Sequence, residues 1–134
     1  MDRETLQRID TLLIDYTCSG IESLGADLIQ VVFGKHRLIV WCAWRLSDQG
    51  EIVVSSESEG VVQSKIEGLL VGSVVRKVHV RGEFHELRVG FTNDRVLEAF
   101  ADSEKYENWN LVTGSGEMII AGPGRLWSWF PQPT

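Results

Sequence analysis

Hydrophobic positions in this chain recur at two different spacings, one suited to helices and one to strands. Near the N-terminus, Leu6, Ile9, Leu13 and Tyr16 follow each other at intervals of three and four, with Leu12 beside them. This predicts a helix with a single apolar stripe. The stretch EGVVQSKIEGLLVG places Val62, Ile66, Leu69 and Leu70 on one side of a second helix, and Gly72 offers a C-terminal stop. Gly68 weakens that helix by about 1 kcal/mol relative to alanine, so packing has to hold it.

Strand patterns fill the intervals. ADLIQVVF and HRLIVWCAWRL flank a short turn around Gly34, and HELRVGF and RVLEAFA flank the turn Thr92–Asp94. LIVWCAW is apolar at every position, which predicts a central strand covered on both faces. RVLEAFA is interrupted by Glu98, which brings one of its faces nearer water. VVRKVHV alternates as a half-exposed strand does, GEIVVS and GEMIIAG each follow a glycine turn, and RLWSWF ends the series.

The elements also repeat in order. IDTLLI (9–14) matches IEGLLV (66–71), and QVVFGKHRLI (30–39) matches RVGFTNDRVL (88–97), aligning Phe33 with Phe91 and Arg37 with Arg95. WRL (44–46) then matches WNL (109–111), and GEIVV (50–54) matches GEMII (116–120). The offset grows from 57 to 66, which places insertions in the second copy, chiefly DSEKYEN (102–108). The expected fold is α+β and mostly antiparallel, with an internal duplication. Its two pseudo-symmetric halves each hold one helix and three to four strands. One domain spans 1–134, with repeats at 1–59 and 60–134.

With 13 basic and 19 acidic residues, the net charge of −6 argues against a nucleic-acid partner, which needs a basic stripe. The N-terminal residues lack the pattern of a secretion signal, and no apolar run reaches the ~18–20 residues of a membrane span. Cys18 and Cys42 have no CxxC spacing and read as structural thiols, so a cytoplasmic location is expected, with no membrane partner.

Candidate chemistry is sparse. His79 and His85 with Glu83 would supply three zinc ligands, but loop histidines facing water are the simpler reading for these two and for His36. Glu51 and Glu117 occupy matching positions past turn glycines; a symmetric acid/base pair is one reading, wet strand ends the favoured one. Arg37 and Arg95 either bind an anion or, as favoured, brace their hairpins. The glycines of GSGE and GPG precede no helix and are read as turns. Trp44 and Trp109 match between copies and are expected in the core or at its boundary. Trp127 and Trp129 share one face of the last strand, as a core seal or as a binding surface.

The second half, with LRVGFTNDRVLEAF, YENW and AGPGRLWSW, resembles an uncharacterised family of short, internally duplicated bacterial proteins. Their pattern is an alternating strand ending in Phe, a turn, then YExW and a PGG-like turn before a final aromatic strand. The match covers about residues 20–130, with GPG standing where PGG is usual. Some members look like immunity proteins, the cytosolic antidotes encoded beside toxins of contact-dependent systems. The resemblance implies a non-enzymatic antidote that binds a cognate toxin domain, a basic nuclease or other RNA-directed enzyme, without cofactor or metal. Segments present in one copy only are freest to have been shaped by such a partner. On that basis the expected contact residues are Asp102, Glu104, Tyr106 and Glu107, then Glu57 and Glu59 between the copies, then Trp127 and Trp129. The rival class is a small-molecule or sensory module using a groove between the halves. An enzyme working through Glu51 and Glu117 or the histidines ranks last.

Overall fold

A computed structural model of the protein describes residues 1–25, 28–58 and 62–131. Helix α1 (Arg3–Leu12) starts at Asp2, whose carboxylate accepts the Thr5 N–H at 2.8 Å. Ile9 and Leu13 are fully buried, as the apolar stripe predicts. Tyr16 lies beyond the helix, because Asp15 takes a left-handed φ of 69° and turns the chain. The Tyr16 ring instead meets His36 edge-on, with centroids 4.7 Å apart.

The first half continues with β1 (Gly20–Gly25), β2 (Leu28–Phe33), β3 (His36–Val40), β4 (Ala43–Asp48) and β5 (Glu51–Ser55). Helix α2 (Val62–Leu70) opens the second half, with Ile66 and Leu70 inward and Gly72 just past its end at φ +92°. Then come β6 (Val75–Arg81), β7 (Glu86–Phe91), β8 (Arg95–Phe100), β9 (Trp109–Val112), β10 (Met118–Ala121) and β11 (Trp127–Phe130). The fold is α+β and its strand pairs are antiparallel. The halves hold five and six strands, more than the three to four expected. Two strands in the first half are additional to those read from the sequence: β1, which carried no predicted pattern, and the one gained because HRLIVWCAWRL is divided into β3 and β4.

That division is the organising feature. The strands form a six-stranded sheet, β1-β2-β3-β9-β10-β11, and a five-stranded sheet, β5-β4-β8-β7-β6. The chain leaves one sheet after β3, turns at Trp41–Cys42 and enters the other at β4. LIVWCAW is therefore not one doubly covered strand: Val40 and Trp44 are buried, whereas Trp41 at the corner is 39% exposed. The return crossing is longer and runs through residues 101–108 to β9.

Each half thus gives three consecutive strands to one sheet and a following hairpin to the other, with β11 added beyond the second hairpin. Helix α1 packs against β6 and helix α2 against β1. Where the halves meet, Thr17 bridges Val74, and the rings of Phe33 and Phe91 stack at 6.4 Å. One continuous apolar core draws on both helices and both sheets, with Trp44, Trp109, Phe33 and Phe91 its largest fully buried side chains.

The two hairpins turn over different lengths, two residues between Phe33 and His36, and Thr92, Asn93 and Asp94 between Phe91 and Arg95. Leu38 pairs with Leu111, and Leu97 with Leu46. Arg37 is exposed, whereas Arg95 is half-buried.

Candidate functional site

The second crossing carries the cluster that sequence reasoning favoured. Its loop is held by Asn108, which is wholly buried. The Asn108 side-chain carbonyl accepts the Ser103 N–H at 2.9 Å, and the Ser103 hydroxyl accepts the Tyr106 N–H at 2.9 Å. The Ser103 carbonyl accepts the Gly124 N–H at 2.9 Å, tying the loop to the GPG turn. Asn108 also donates its own N–H to Ala121 at 2.8 Å and accepts that of Trp41 at 2.9 Å. The loop is therefore anchored to the corner where the first crossing turns.

On this frame Tyr106 stands 75% exposed. With Trp41, Leu28, Pro123, Lys105 and Glu107 it edges an open cleft of about 540 Å³. Trp41 and Leu28 come from the first half and were not predicted as contact residues.

The expected acidic residues divide. Glu104 and Asp102 are both exposed, and the Asp102 carboxylate accepts the Ala43 N–H at 3.4 Å. Glu107 accepts from the Asn110 amide at 2.9 Å, so part of its role is structural. Glu57 is exposed in the turn after β5, and Glu59 lies outside the described residues. Trp127 and Trp129 flank α1: Trp127 shares a cleft with Met1, Leu6 and His85, and Trp129 one with Thr5, Arg8 and Ile119. Trp127 is half-buried and Trp129 is 47% exposed, so this face seals the helix while leaving one indole partly open.

The other candidates take structural positions. Two histidines expected in water are buried, because segments distant in sequence pack over them. His36 is 4% exposed, and its Nδ1 accepts the Gly114 N–H at 3.1 Å. His85 is 6% exposed, with Nε2 3.1 Å from the Met1 nitrogen and its carbonyl accepting the Trp109 indole N–H at 2.7 Å. Only His79 is exposed. Among the described residues no cluster of His, Cys, Asp and Glu has a geometry that would hold a metal.

Glu117 is buried and its Oε1 lies 2.6 Å from Arg8 Nε of α1, whereas Glu51 is exposed at the start of β5. Their environments differ, against a symmetric acid/base pair. Arg95 braces as expected: it donates to the Leu69 carbonyl near the end of α2, and its Nε lies 3.4 Å from Asp48. Cys18 and Cys42 are free and buried, with burial pushing their thiols up to about 11 and about 12. No described helix is long and apolar enough to cross a membrane.

Burial lowers the pKa of His36 below its ordinary 6.5, helped by the charges of Lys35 and Arg8. His85 is lowered in the same way, by burial and then by the N-terminal charge. The unfolded chain thus binds more protons than the native one as pH falls through 6.5. Stability from these neutral histidines is fully present above that value and is lost as pH drops toward the native pKa. The urea midpoint is expected to fall between about pH 7.5 and pH 5, and His36→Gln to flatten that slope. A pH-independent wild-type midpoint would contradict this account.

A further concavity lies on the outer face of the five-stranded sheet. It has a volume of about 310 Å³ and is lined by residues between Arg76 and Phe100, all from β6, β7 and β8. It is therefore built by the second half alone and is not a groove between the halves. No protein-family model, curated protein or solved structure matches this chain.

Proposed function

We propose that this protein is an immunity protein, a cytosolic antidote that binds and neutralises a cognate bacterial toxin domain. The observation that carries the reading is Tyr106, three-quarters exposed on a loop whose backbone is already fixed by Asn108 and Ser103. An ordered aromatic side chain costs little entropy to dock, and it stands among Trp41, Leu28 and Pro123 with Glu104 on the same loop. The net charge of −6 steers such a surface toward a basic cleft, as in nuclease and other RNA-directed toxins. The resemblance to duplicated bacterial proteins, some of them immunity-like, points the same way.

Internal duplication belongs to this proposal, since it explains which segments are scaffold and which were free to change. It is supported by the exchanged hairpins of the two sheets and by the parallel registers of Trp44 with Ala99 and Trp109 with Val40. The 102–108 loop has no counterpart at the two-residue first corner.

The test is association with the C-terminal toxin domain encoded in the adjacent reading frame. Glu104→Lys with Glu57→Lys is expected to slow association and flatten its salt dependence, with dissociation little changed. Tyr106→Ala is expected to speed dissociation about 30-fold, corresponding to roughly 2 kcal/mol. If the triple variant protects cells as well as the wild type does, the proposed surface is wrong. If no complex with that domain forms at all, the antidote role is wrong.

A further inference from the structure

We infer that the outer face of the five-stranded sheet binds a small organic anion, of the class of aromatic or heteroaromatic phosphate esters. The site shares no residue with the Tyr106 surface, and the inference stands apart from the antidote reading. It begins with where charge collects. Arg76, Lys77, Arg81 and Arg88 line the concavity against Glu86 and Glu98, a local excess of +2 on a chain of net charge −6.

The two carboxylates are already engaged. Glu98 lies 3.1 Å from Arg45 Nε, and Glu86 lies 3.9 Å from Arg81. Arg45 is occupied a second time, over the Phe100 ring at 4.8 Å. Among the described residues, Arg76, Lys77 and Arg88 form no ion pair. Arg88 faces Glu98 across the β7–β8 pair, but that carboxylate also serves Arg45, so three cations gather against one shared counter-charge; they repel one another, and a bound dianion relieves that repulsion.

Gly90 gives the face its shape. It sits mid-sheet between Lys77 on β6 and Val96 on β8, so the missing side chain leaves a notch with a cation on one wall and an apolar residue on the other. Arg88 is two residues along the same face, paired with His79. Nothing in the backbone demands glycine here: a Cβ would meet only ordinary contacts, Lys77 O at 3.7 Å and Lys77 Cβ at 3.9 Å. Gly90 faces the register shift between Val75 and Lys77 on β6, and a strand glycine marks either such an irregularity or a close approach by another molecule; the room left for a Cβ favours the second. The volume, about 310 Å³, suits a small molecule with a flat body against Val96 and a phosphate toward Lys77, Arg76 and Arg88.

The experiment titrates the full chain with phenyl phosphate, AMP and inorganic phosphate at low ionic strength, following backbone amides by NMR. Phenyl phosphate is expected to shift the amides of Lys77, Arg88, Gly90 and Val96 and to bind at least tenfold tighter than inorganic phosphate. AMP should shift the same amides, marking the heteroaromatic branch of the class. Lys77→Ala and Arg88→Ala should each weaken binding about fivefold or more. Gly90→Leu, which fills the notch, should abolish it while the dispersed spectrum survives; if that variant does not fold, Val96→Glu puts the same question at an outward position. The inference is overturned if neither ester shifts these amides, if inorganic phosphate binds as well as the esters, or if the notch variants bind like wild type. It is also overturned if a poly-glutamate peptide shifts them where the esters do not, since that would assign the face to an acidic protein.

Discussion

Trp109→Ala is expected to lower the unfolding free energy by about 4–6 kcal/mol, more than any exposed substitution should. Trp109 begins β9, is wholly buried, and pairs with Val40 on one side and Ala121 on the other. Truncation removes the contacts of a large indole at the point where the second half's hairpin joins the first half's strands. It also leaves the buried His85 carbonyl without the donor now 2.7 Å away. Trp109→Phe retains most of the volume and loses that hydrogen bond, so its expected cost is smaller, about 1–3 kcal/mol. Urea unfolding followed by far-ultraviolet circular dichroism separates the two. Equal losses would mean that the hydrogen bond dominates; an alanine cost below about 2 kcal/mol would show that the site collapses around the missing ring.

A loss of comparable size is expected from Gly122→Ala, for a different reason. Gly122 has φ +95°, and a Cβ there would lie 2.6 Å from Asn108 Nδ2 and 2.9 Å from the Asn108 backbone nitrogen. The side-chain amide is the group that holds Ser103, and the backbone nitrogen is already bonded to Ala121. Neither can move aside without releasing the loop. Left-handed strain of about 1–3 kcal/mol adds to overpacking of similar size, for an expected loss of about 2–6 kcal/mol in all. Gly124→Ala is the control: its φ is +54° but nothing lies within 4 Å of the added carbon, so only the strain, about 1–2 kcal/mol, is expected. Limited proteolysis supplies a second readout, since release of the loop should hasten cleavage near Lys105 in the Gly122 variant alone. If the two variants prove equally stable, the glycine's close approach to Asn108 is not what holds the loop.

That loop links the stability of the fold to the proposed binding surface. Tyr106 is positioned by Ser103 and Asn108, and Asn108 by Ala121 of β10 and by Trp41 at the first corner. Variants that loosen Gly122 should therefore weaken the proposed toxin association even though Gly122 is not part of the proposed contact surface. The cationic notch over Gly90, built within one meander of the other sheet, should be indifferent to the same change.

The sequence alone determined the local elements. Helical spacing located α1 and α2 and their inward residues, Ile9, Leu13, Ile66 and Leu70. Period-two alternation and turn chemistry located most strands, because both depend on neighbours a few residues apart. Trp44 and Trp109, expected in the core or at its boundary, are both fully buried, and so are Phe33 and Phe91, which the sequence only aligned. Only the tertiary structure decided which sheet each strand joins. An unbroken run such as LIVWCAW carries no mark of the corner at Trp41, since either sheet buries its neighbours equally well. The burial of His36 and His85 was illegible for the same reason: the elements that cover them are distant in sequence, Gly114 for one and Trp109 for the other. The loop at Tyr106 was visible as an insertion, but Leu28 and Trp41 reach it only through folding. The cationic face was written in VRKVHVR and hidden by the acidic total, because net charge sums over a surface that strand pairing then divides.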